Sequence, residues 1–193
     1  NERFKNNLTL NERRYHIMFS GAFHNIKMPL FFAEIAKKLA LEIPDLKVLI
    51  LGNGKLKKDF LNKLDHYEIN YDYPGYVKQE SLPGYYALAK LFLFPTKLDA
   101  WGLVANEALA SGTPVITTPH AGIINDLLID GKNGFILPAD IDLWCSKILR
   151  LLNKEDQWNQ FSQNAVESVK SFNFDDAADG IISACEYATR KAS

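Results

Sequence analysis

Short apolar runs alternate with amphipathic segments along most of this chain, and this alternation limits the folds that it can adopt. Glycine or proline follows closely at the end of each run, as expected where a buried strand gives way to a turn. The runs are residues 15–21, 46–51, 69–73, 91–94, 115–117 and 135–137. Parallel strands covered on both faces have this pattern, and helices connect them. We therefore predict an α/β protein with a Rossmann-like parallel sheet, helices on both faces and right-handed crossovers.

The segments between these runs predict helices, and the last third of the chain is predicted to be helical. Apolar residues recur there at helical spacing, for example Trp144, Ile148 and Leu151. We predict helices near residues 29–39, 56–64, 82–90, 103–111, 123–128, 140–152, 155–169 and 175–187. No linker or repeat interrupts the pattern, so we predict one domain over residues 15–193 after a polar lead segment, residues 1–14.

Composition narrows the classes of partner. The formal net charge of −1 lacks the basic excess typical of nucleic-acid binding, so we expect no nucleic-acid partner. No stretch approaches about 18 consecutive apolar residues, which argues against a membrane-spanning helix. Cys145 and Cys185 lie far apart on the apolar faces of predicted helices. We therefore expect two buried thiols and a reducing, cytoplasmic location.

Four polar or glycine-containing segments follow predicted strands. They are residues 21–27, 52–55, 75–77 and 99–107. Ligands of doubly wound sheets bind outside the carboxyl ends of the strands, so these segments are candidate ligand contacts. The last of them places two carboxylates, Asp99 and Glu107, eight positions apart across a turn that opens a helix. Helix N-terminal amides attract an anion and carboxylates accept hydrogen bonds from hydroxyls, which suits a polyol attached to phosphate.

Each of these features also has a purely structural interpretation. Asp99 and Glu107 could be a loop acid and a helix acid that complements the dipole. Lys27 could be a solvated surface lysine, although it lies within reach of an anion at the strand ends. The Gly52-Asn53-Gly54 turn could serve only to join a strand tightly to a helix. The Asp140-Ile141-Asp142 run imitates a metal-binding signature, but its place just before a helix predicts that Asp140 is an N-cap, and we expect no metal site.

The residues between the two acids resemble a known motif. Trp101-Gly102-Leu103-Val104 and Asn106-Glu107-Ala108 match the context of the E-x7-E motif of the group 1 glycosyltransferases (family 4). The resemblance extends from residue 15 to the C-terminal helices and includes segments 21–27, 52–54, 75–77, 111–116 and 130–135. It implies the C-terminal, donor-binding half of a GT-B fold.

The resemblance also implies roles for individual residues. Lys27, Asp99 and Glu107 would carry the chemistry: Lys27 neutralises the diphosphate, Asp99 holds donor-sugar hydroxyls and Glu107 accepts hydrogen bonds from the ribose. The remaining donor-binding residues would be Gly21, Ala22, Gly52, Asn53, Tyr76, Val77, Trp101, Gly102, Leu103 and Val104. Among these, the amides of residues 102–104 would lie near the phosphates, and Tyr76 and Val77 would edge the base.

Two positions depart from the family pattern. The family usually has arginine directly after the glycine that ends the first strand, where this chain has Ala22. Losing one preorganised donor weakens stabilisation of a leaving group by about 2–4 kcal/mol. Asp99 replaces the usual glutamate, which draws the carboxylate back by one methylene.

The resemblance implies retaining, metal-independent transfer from a UDP- or GDP-sugar, with no cofactor. The acceptor would be a glycan or glycolipid bound through an N-terminal domain, for which this chain has no room. We therefore expect a fragment that is inactive alone, with membrane association only through absent parts. Two alternatives stay open: a degenerate module with an interaction or regulatory role, and half of a sugar-nucleotide epimerase.

Overall fold

Six parallel strands form one sheet in the computed structural model, which describes residues 2–4, 6, 8–170, 172 and 174–191. The strands are β1 (Tyr15–Ala22), β2 (Lys47–Asn53), β3 (Asn70–Gly75), β4 (Ala89–Phe94), β5 (Val115–Thr117) and β6 (Gly134–Ile136). Their order is β3-β2-β1-β4-β5-β6, and every neighbouring pair is parallel. The Rossmann-like prediction is therefore confirmed.

Helices cover both faces of this sheet. They are α1 (Pro29–Ala40), α2 (Lys57–His66), α3 (Leu82–Ala87), α4 (Leu103–Ala110), α5 (Ile141–Leu152), α6 (Glu155–Ser168) and α7 (Phe174–Lys191). The buried side chains of α1, α2 and α5 form one apolar cluster with the sheet, and those of α3 and α4 form the other. Strand order reverses between β1 and β4, so the crevice between their carboxyl ends is the expected ligand site of this topology.

An aromatic cluster fixes the segment that leaves β1. Phe19, Phe23, Phe32 and Phe60 are fully or almost fully buried. The Phe23 ring lies edge-on to Phe60, with 5.2 Å between ring centroids, and Phe19 makes similar contacts with Phe32 and Phe60. Such pairs add stabilisation beyond burial of their area. The backbone just beyond β1 is thus held against α1 and α2.

Two local predictions are wrong. Helix α3 ends at Ala87 rather than near Lys90, because Ala89 pairs with Tyr15 and begins β4. Residues 123–128 form turns instead of a short helix, with the amides of Leu127 and Leu128 both donating to the Ile123 carbonyl at 3.0 Å. The left-handed backbone of the intervening Asn125 (φ 66°) breaks the helical path there.

The thiols and the lead segment also differ from expectation. Cys145 is buried as predicted, whereas Cys185 is exposed on α7, where the helix face is not covered by the sheet. In the lead segment, Phe4 and Leu10 are 4% exposed and belong to the two apolar clusters. Of the helices in the described part of the chain, none combines the length and apolarity needed to cross a bilayer.

Candidate functional site

The loops that leave β1 and β4 are joined at the point where strand order reverses. The Lys97 amide donates a hydrogen bond to the Ile26 carbonyl at 2.8 Å, and the Thr96 hydroxyl donates to the same carbonyl at 3.2 Å. These bonds place residue 27, after β1, beside residue 99, after β4. Two residues that are 72 positions apart in sequence therefore meet at the carboxyl edge of the sheet.

Lys27 and Asp99 form an ion pair at this edge. The Lys27 ammonium donates to Asp99 Oδ2, and each side chain is 18% exposed. The same ammonium lies 5.2 Å from the centroid of the Phe94 ring. Asp99 Oδ1 accepts a hydrogen bond from the Trp101 amide at 3.0 Å. One carboxylate oxygen thus faces the lysine while the other fixes the turn that leads into α4.

The residues after β5 anchor the Asp99 loop from the other side. The Asp99 amide donates to the His120 carbonyl at 3.0 Å, and the Gly122 amide donates to the Asp99 carbonyl at 2.8 Å. A Cβ atom at Gly122 would lie 2.0 Å from the Ala100 carbonyl oxygen, so only glycine allows this approach. The position of the Asp99 carboxylate is therefore set by backbone contacts on both sides of its loop.

Helix α4 begins at this edge with uncapped amides. Gly102 is its N-cap, has φ 96° and provides no side-chain hydrogen bond to the first turn. A Cβ atom there would lie 3.0 Å from the Phe94 ring, the same ring that underlies Lys27. The amides of Leu103 and Val104 precede the first intrahelical bond, which runs from Ala105 to the Gly102 carbonyl at 2.9 Å. An anion beside Lys27 would also meet the positive end of a helix.

Glu107 lies one turn further along α4, in a buried polar cluster. Its side chain packs near the fully buried Tyr86, whose hydroxyl donates to Ser20 Oγ at 3.2 Å. Burial raises the pKa of Glu107, and the Tyr86 hydroxyl and the charge of Arg3 oppose that rise. Burial, followed by the charge of Glu107, also raises the pKa of Tyr86 well above its ordinary value. The two acids of the motif therefore have different environments.

Gly52 and Asn53 are the last residues of β2 and lie against the end of β1. A Cβ atom at Gly52 would lie 1.9 Å from the Gly21 carbonyl oxygen, and the Phe23 amide donates to the Asn53 carbonyl at 2.9 Å. This close approach accounts for the glycine without any ligand. The space next to Gly21 is open, and Ala22 is exposed at the end of β1.

Tyr76 and Val77 lie at the periphery of this edge. They follow β3, the edge strand, which is separated from β1 by β2. Tyr76 is 84% exposed, and Val77 packs against the apolar cluster beside α3. Of the residues named from the sequence, the structure brings Lys27, Asp99 and Trp101 into direct contact, and it leaves Tyr76 and Val77 at a distance.

The Asp140-Ile141-Asp142 run is a helix cap, as predicted. Asp140 Oδ1 accepts a hydrogen bond from the Leu143 amide at 3.0 Å at the start of α5. Within the described residues, no three or more histidine, cysteine, aspartate or glutamate side chains are grouped so that they could hold a metal ion.

Sequence reasoning missed four residues that shape the site: Ser20, Tyr86, Phe94 and His120. Ser20 directly precedes the glycine at the end of β1, which was a usable signal. Tyr86 and Phe94 read as ordinary core aromatics, and His120 contributes only its carbonyl. Neither pattern nor spacing marks such contributions, because they depend on which segments meet in the fold.

Comparison with known proteins identifies the family of this chain. Residues 1–168 match the family model for glycosyl transferases group 1, so the chain belongs to the group 1 glycosyltransferase family. It is 29% identical over 171 residues to the D-inositol 3-phosphate glycosyltransferase of Paenarthrobacter aurescens. The aligned region covers 82% of this chain and 40% of that relative. The chain spans less than half the length of the curated relatives that it matches.

Solved structures share the fold. The structure of HepE from Anabaena in complex with UDP and glucose has a TM-score of 0.79 at 16% identity, covering 96% of this chain and 54% of that chain. The C-terminal domain of the group 1 family glycosyl transferase LpcC from Francisella tularensis has a TM-score of 0.73 at 19% identity. In that comparison the match covers 86% of this chain and 97% of the other.

Proposed function

We propose that this chain is the C-terminal, donor-binding half of a retaining, metal-independent family 4 glycosyltransferase that uses a UDP- or GDP-sugar. The observation that carries the proposal is the Lys27–Asp99 pair beside the uncapped start of α4, at the reversal of strand order. A cation, free helix amides and a carboxylate are what a diphosphate attached to a sugar requires. The likeness to the separate LpcC C-terminal domain and the bound UDP of HepE support it.

The proposed roles follow from position. Lys27 and the amides of Leu103 and Val104 bind the diphosphate, and Asp99 holds hydroxyls of the donor sugar. Glu107 accepts hydrogen bonds from the ribose, and it does so most strongly when it is ionised. The remaining residues assigned from the sequence line the site, with Tyr76 and Val77 at the base and with Gly21, Ala22, Gly52, Asn53, Trp101 and Gly102 shaping the backbone around the phosphates.

We propose that the acceptor is bound outside the region that the relatives share with this chain. We infer a glycan or lipid-linked acceptor held by a separate N-terminal domain, because the curated relatives are more than twice as long as the region matched. Without that domain, the chain binds donor but does not transfer sugar.

Two free thiols, Cys145 and Cys185, fit a reducing, cytoplasmic location.

A calorimetric titration of the whole chain tests the proposal. We expect UDP or GDP, and one of their sugars, to bind with a dissociation constant near or below about 1 mM. Lys27→Met should weaken binding of the nucleoside diphosphate by at least about tenfold, as for loss of one charged hydrogen bond. Lys132→Met, an exposed lysine at the opposite edge of the sheet, is the matched control and should change nothing. Failure of all these nucleotides to bind at millimolar concentration would overturn the proposal.

Ala22 favours one competing function, a degenerate module with an interaction or regulatory role. It is exposed at the end of β1 and offers no donor to a leaving group. This alternative, and not the transferase half, predicts that Glu107→Gln leaves nucleotide affinity unchanged. An epimerase half would bind the nucleotide as well, so it is separated from the transferase by assaying the protein joined to its missing domain for transfer to an acceptor.

A further inference from the structure

One cation of this chain is enclosed at the amino edge of the sheet, at the end opposite the proposed donor site. Arg13 precedes β1 and is 3% exposed. Its Nη1 donates to the Ala89 carbonyl at 2.9 Å and to Thr113 Oγ1 at 2.6 Å. The guanidinium also lies 4.8 Å from the centroid of the Trp158 ring. The charge is thus enclosed by neutral acceptors and an aromatic face, and burial lowers the pKa of Arg13 to about 10.

The other side of the guanidinium binds the end of α4. Arg13 Nη2 donates to the Ser111 carbonyl at 3.0 Å and to the Gly112 carbonyl at 3.2 Å. Ser111 is the C-cap of α4, and its amide donates to the Glu107 carbonyl at 3.1 Å. A cation at this end complements the helix dipole and satisfies carbonyls that have no intrahelical donor. Arg13 is therefore connected to the Glu107 turn through a single residue.

Helix α4 is short and is held at its C-terminal end by Asn6 and Ser162 as well as by Arg13, but only Arg13 also contacts β4. The helix has eight residues, and its N-cap Gly102 contributes no side-chain hydrogen bond. The same guanidinium contacts Ala89 at the start of β4, and Arg13 lies two residues before the start of β1. Asp99 lies in the loop that follows β4, and Lys27 lies in the segment that follows β1. One side chain thus relates the position of α4 to both strands that build the site.

We propose that Arg13 is a positioning residue of the donor site, which sets where the Glu107 carboxylate meets the ribose by fixing α4 against β1 and β4. The inference rests on the proposed function, since that function assigns the ribose to Glu107. Lysine cannot replace it, because a guanidinium reaches two sets of acceptors with a rigid fork and an ammonium is a single point of charge.

The test compares three variants of the whole chain, Arg13→Lys, Glu107→Gln and their combination, by calorimetry with UDP and with inorganic pyrophosphate. Arg13→Lys should weaken UDP binding by about tenfold, as for loss of one hydrogen bond to a charged group. Pyrophosphate binding should weaken less, because it depends on Lys27 and on the first amides of α4, at the end of the helix away from Arg13. The combined variant should bind UDP no more weakly than Glu107→Gln alone, because both substitutions remove the same ribose contact.

A control separates positioning from loss of stability. Ser162, in α6, donates another hydrogen bond to the Gly112 carbonyl at 2.7 Å. Ser162→Ala removes this bond while Arg13 keeps its contacts. It should lower the melting temperature and leave UDP affinity unchanged. Where Arg13→Lys does not fold, Thr113→Val takes its place, because it removes the acceptor at 2.6 Å and should weaken UDP in the same direction.

The outcomes distinguish this inference from the proposed function. If wild-type chain does not bind UDP, the proposed function fails, and the pKa of Glu107 measured by carboxyl NMR still tests the positioning. It should fall toward the ordinary range in Arg13→Lys, as water reaches a loosened α4. An unchanged UDP affinity in folded Arg13→Lys, or equal losses for UDP and pyrophosphate, overturns the inference while leaving the donor site intact.

Discussion

The two edges of the sheet use their cations in opposite ways at the same pair of strands. At the carboxyl ends of β1 and β4, Lys27 is paired with Asp99, and both side chains retain contact with solvent. At the amino ends of the same strands, Arg13 is enclosed by carbonyl groups and Trp158. A ligand can compete for the first cation, whereas the second is committed to the protein. A basic residue is therefore accessible to a ligand at one edge and is part of the packed structure at the other.

Energetics explain why this division is stable. Removing Arg13 takes charged donors from the carbonyl groups of Ala89, Ser111 and Gly112 in a buried place, although Asn6 and Ser162 still donate to the last two. Removing Lys27 leaves a carboxylate that water reaches and that still accepts the Trp101 amide, so the loss is that of a partly exposed ion pair. We therefore expect substitutions at the amino edge to change stability first, and those at the carboxyl edge to change ligand affinity first.

The largest effect should come from Arg13→Met. It removes the donors of the amino edge while keeping a side chain of similar length, so the free energy of unfolding should fall by about 3–4 kcal/mol. Arg14→Met is the matched control. The Arg14 side chain is 59% exposed and pairs with Asp72, so its loss should lower the free energy of unfolding by less than about 1 kcal/mol. Chemical denaturation measures both. Equal losses in the two variants would break the comparison.

Glu107 makes the comparison more specific, because it belongs to the candidate site at the carboxyl edge and yet is buried, as Arg13 is at the amino edge. Burial raises its folded pKa above the ordinary value of 4.5, so the folded chain binds more protons than the unfolded chain in the window just above that value. Stability therefore falls as pH rises through this window. Glu107→Gln should abolish that fall and make the protein more stable than wild type at pH 8, with little difference at pH 4.

Denaturation across the pH range measures this difference. Glu42→Gln, at an exposed position beyond α1, provides the control and should leave the profile unchanged. The prediction would be contradicted if the free energy of unfolding of the wild type rose with pH in the range where that of Glu107→Gln stays constant. The Glu107 carboxylate would then not destabilise the folded chain.

The smallest effect on stability should come from Asp99→Asn. It removes the charge that pairs with Lys27, and the free energy of unfolding should change by less than about 1 kcal/mol. UDP affinity should instead rise several-fold, because the diphosphate no longer displaces a carboxylate from the lysine and no longer approaches a like charge. A UDP-sugar should gain less, since the amide is a poorer acceptor for sugar hydroxyls. Calorimetry with both ligands checks this, and weaker binding of UDP would contradict it.

The sequence predicts most of the sheet because its signals are local. Runs such as 46–51 and 91–94 are apolar enough to specify buried strands, and Pro29 marks the start of α1. The end of α3 was missed since strand pairing with Tyr15 overrides the helical pattern at Ala89. The turns at 123–128 depend on the left-handed Asn125, which no periodicity reveals.

The candidate site divides in the same way. Lys27 and Asp99 were assigned to one edge because each follows a predicted strand, although the loop contacts that join them are not visible in the sequence. Arg13 was assigned to a polar lead segment, because a charged residue is usually solvated. Besides Asn6 Oδ1, its acceptors are three backbone carbonyls and one hydroxyl, 76 to 100 positions away. Backbone acceptors leave no trace in composition, so such a residue becomes apparent only in three dimensions.

The Phe94 ring is shared by the two positive groups of the candidate site. The Lys27 ammonium lies 5.2 Å from the ring centroid, and a Cβ atom at Gly102 would lie 3.0 Å from the ring. One rigid hydrocarbon side chain therefore neighbours both the ammonium and the residue at which α4 begins, the two groups that would share a diphosphate. A smaller side chain at this position would remove the support that they have in common.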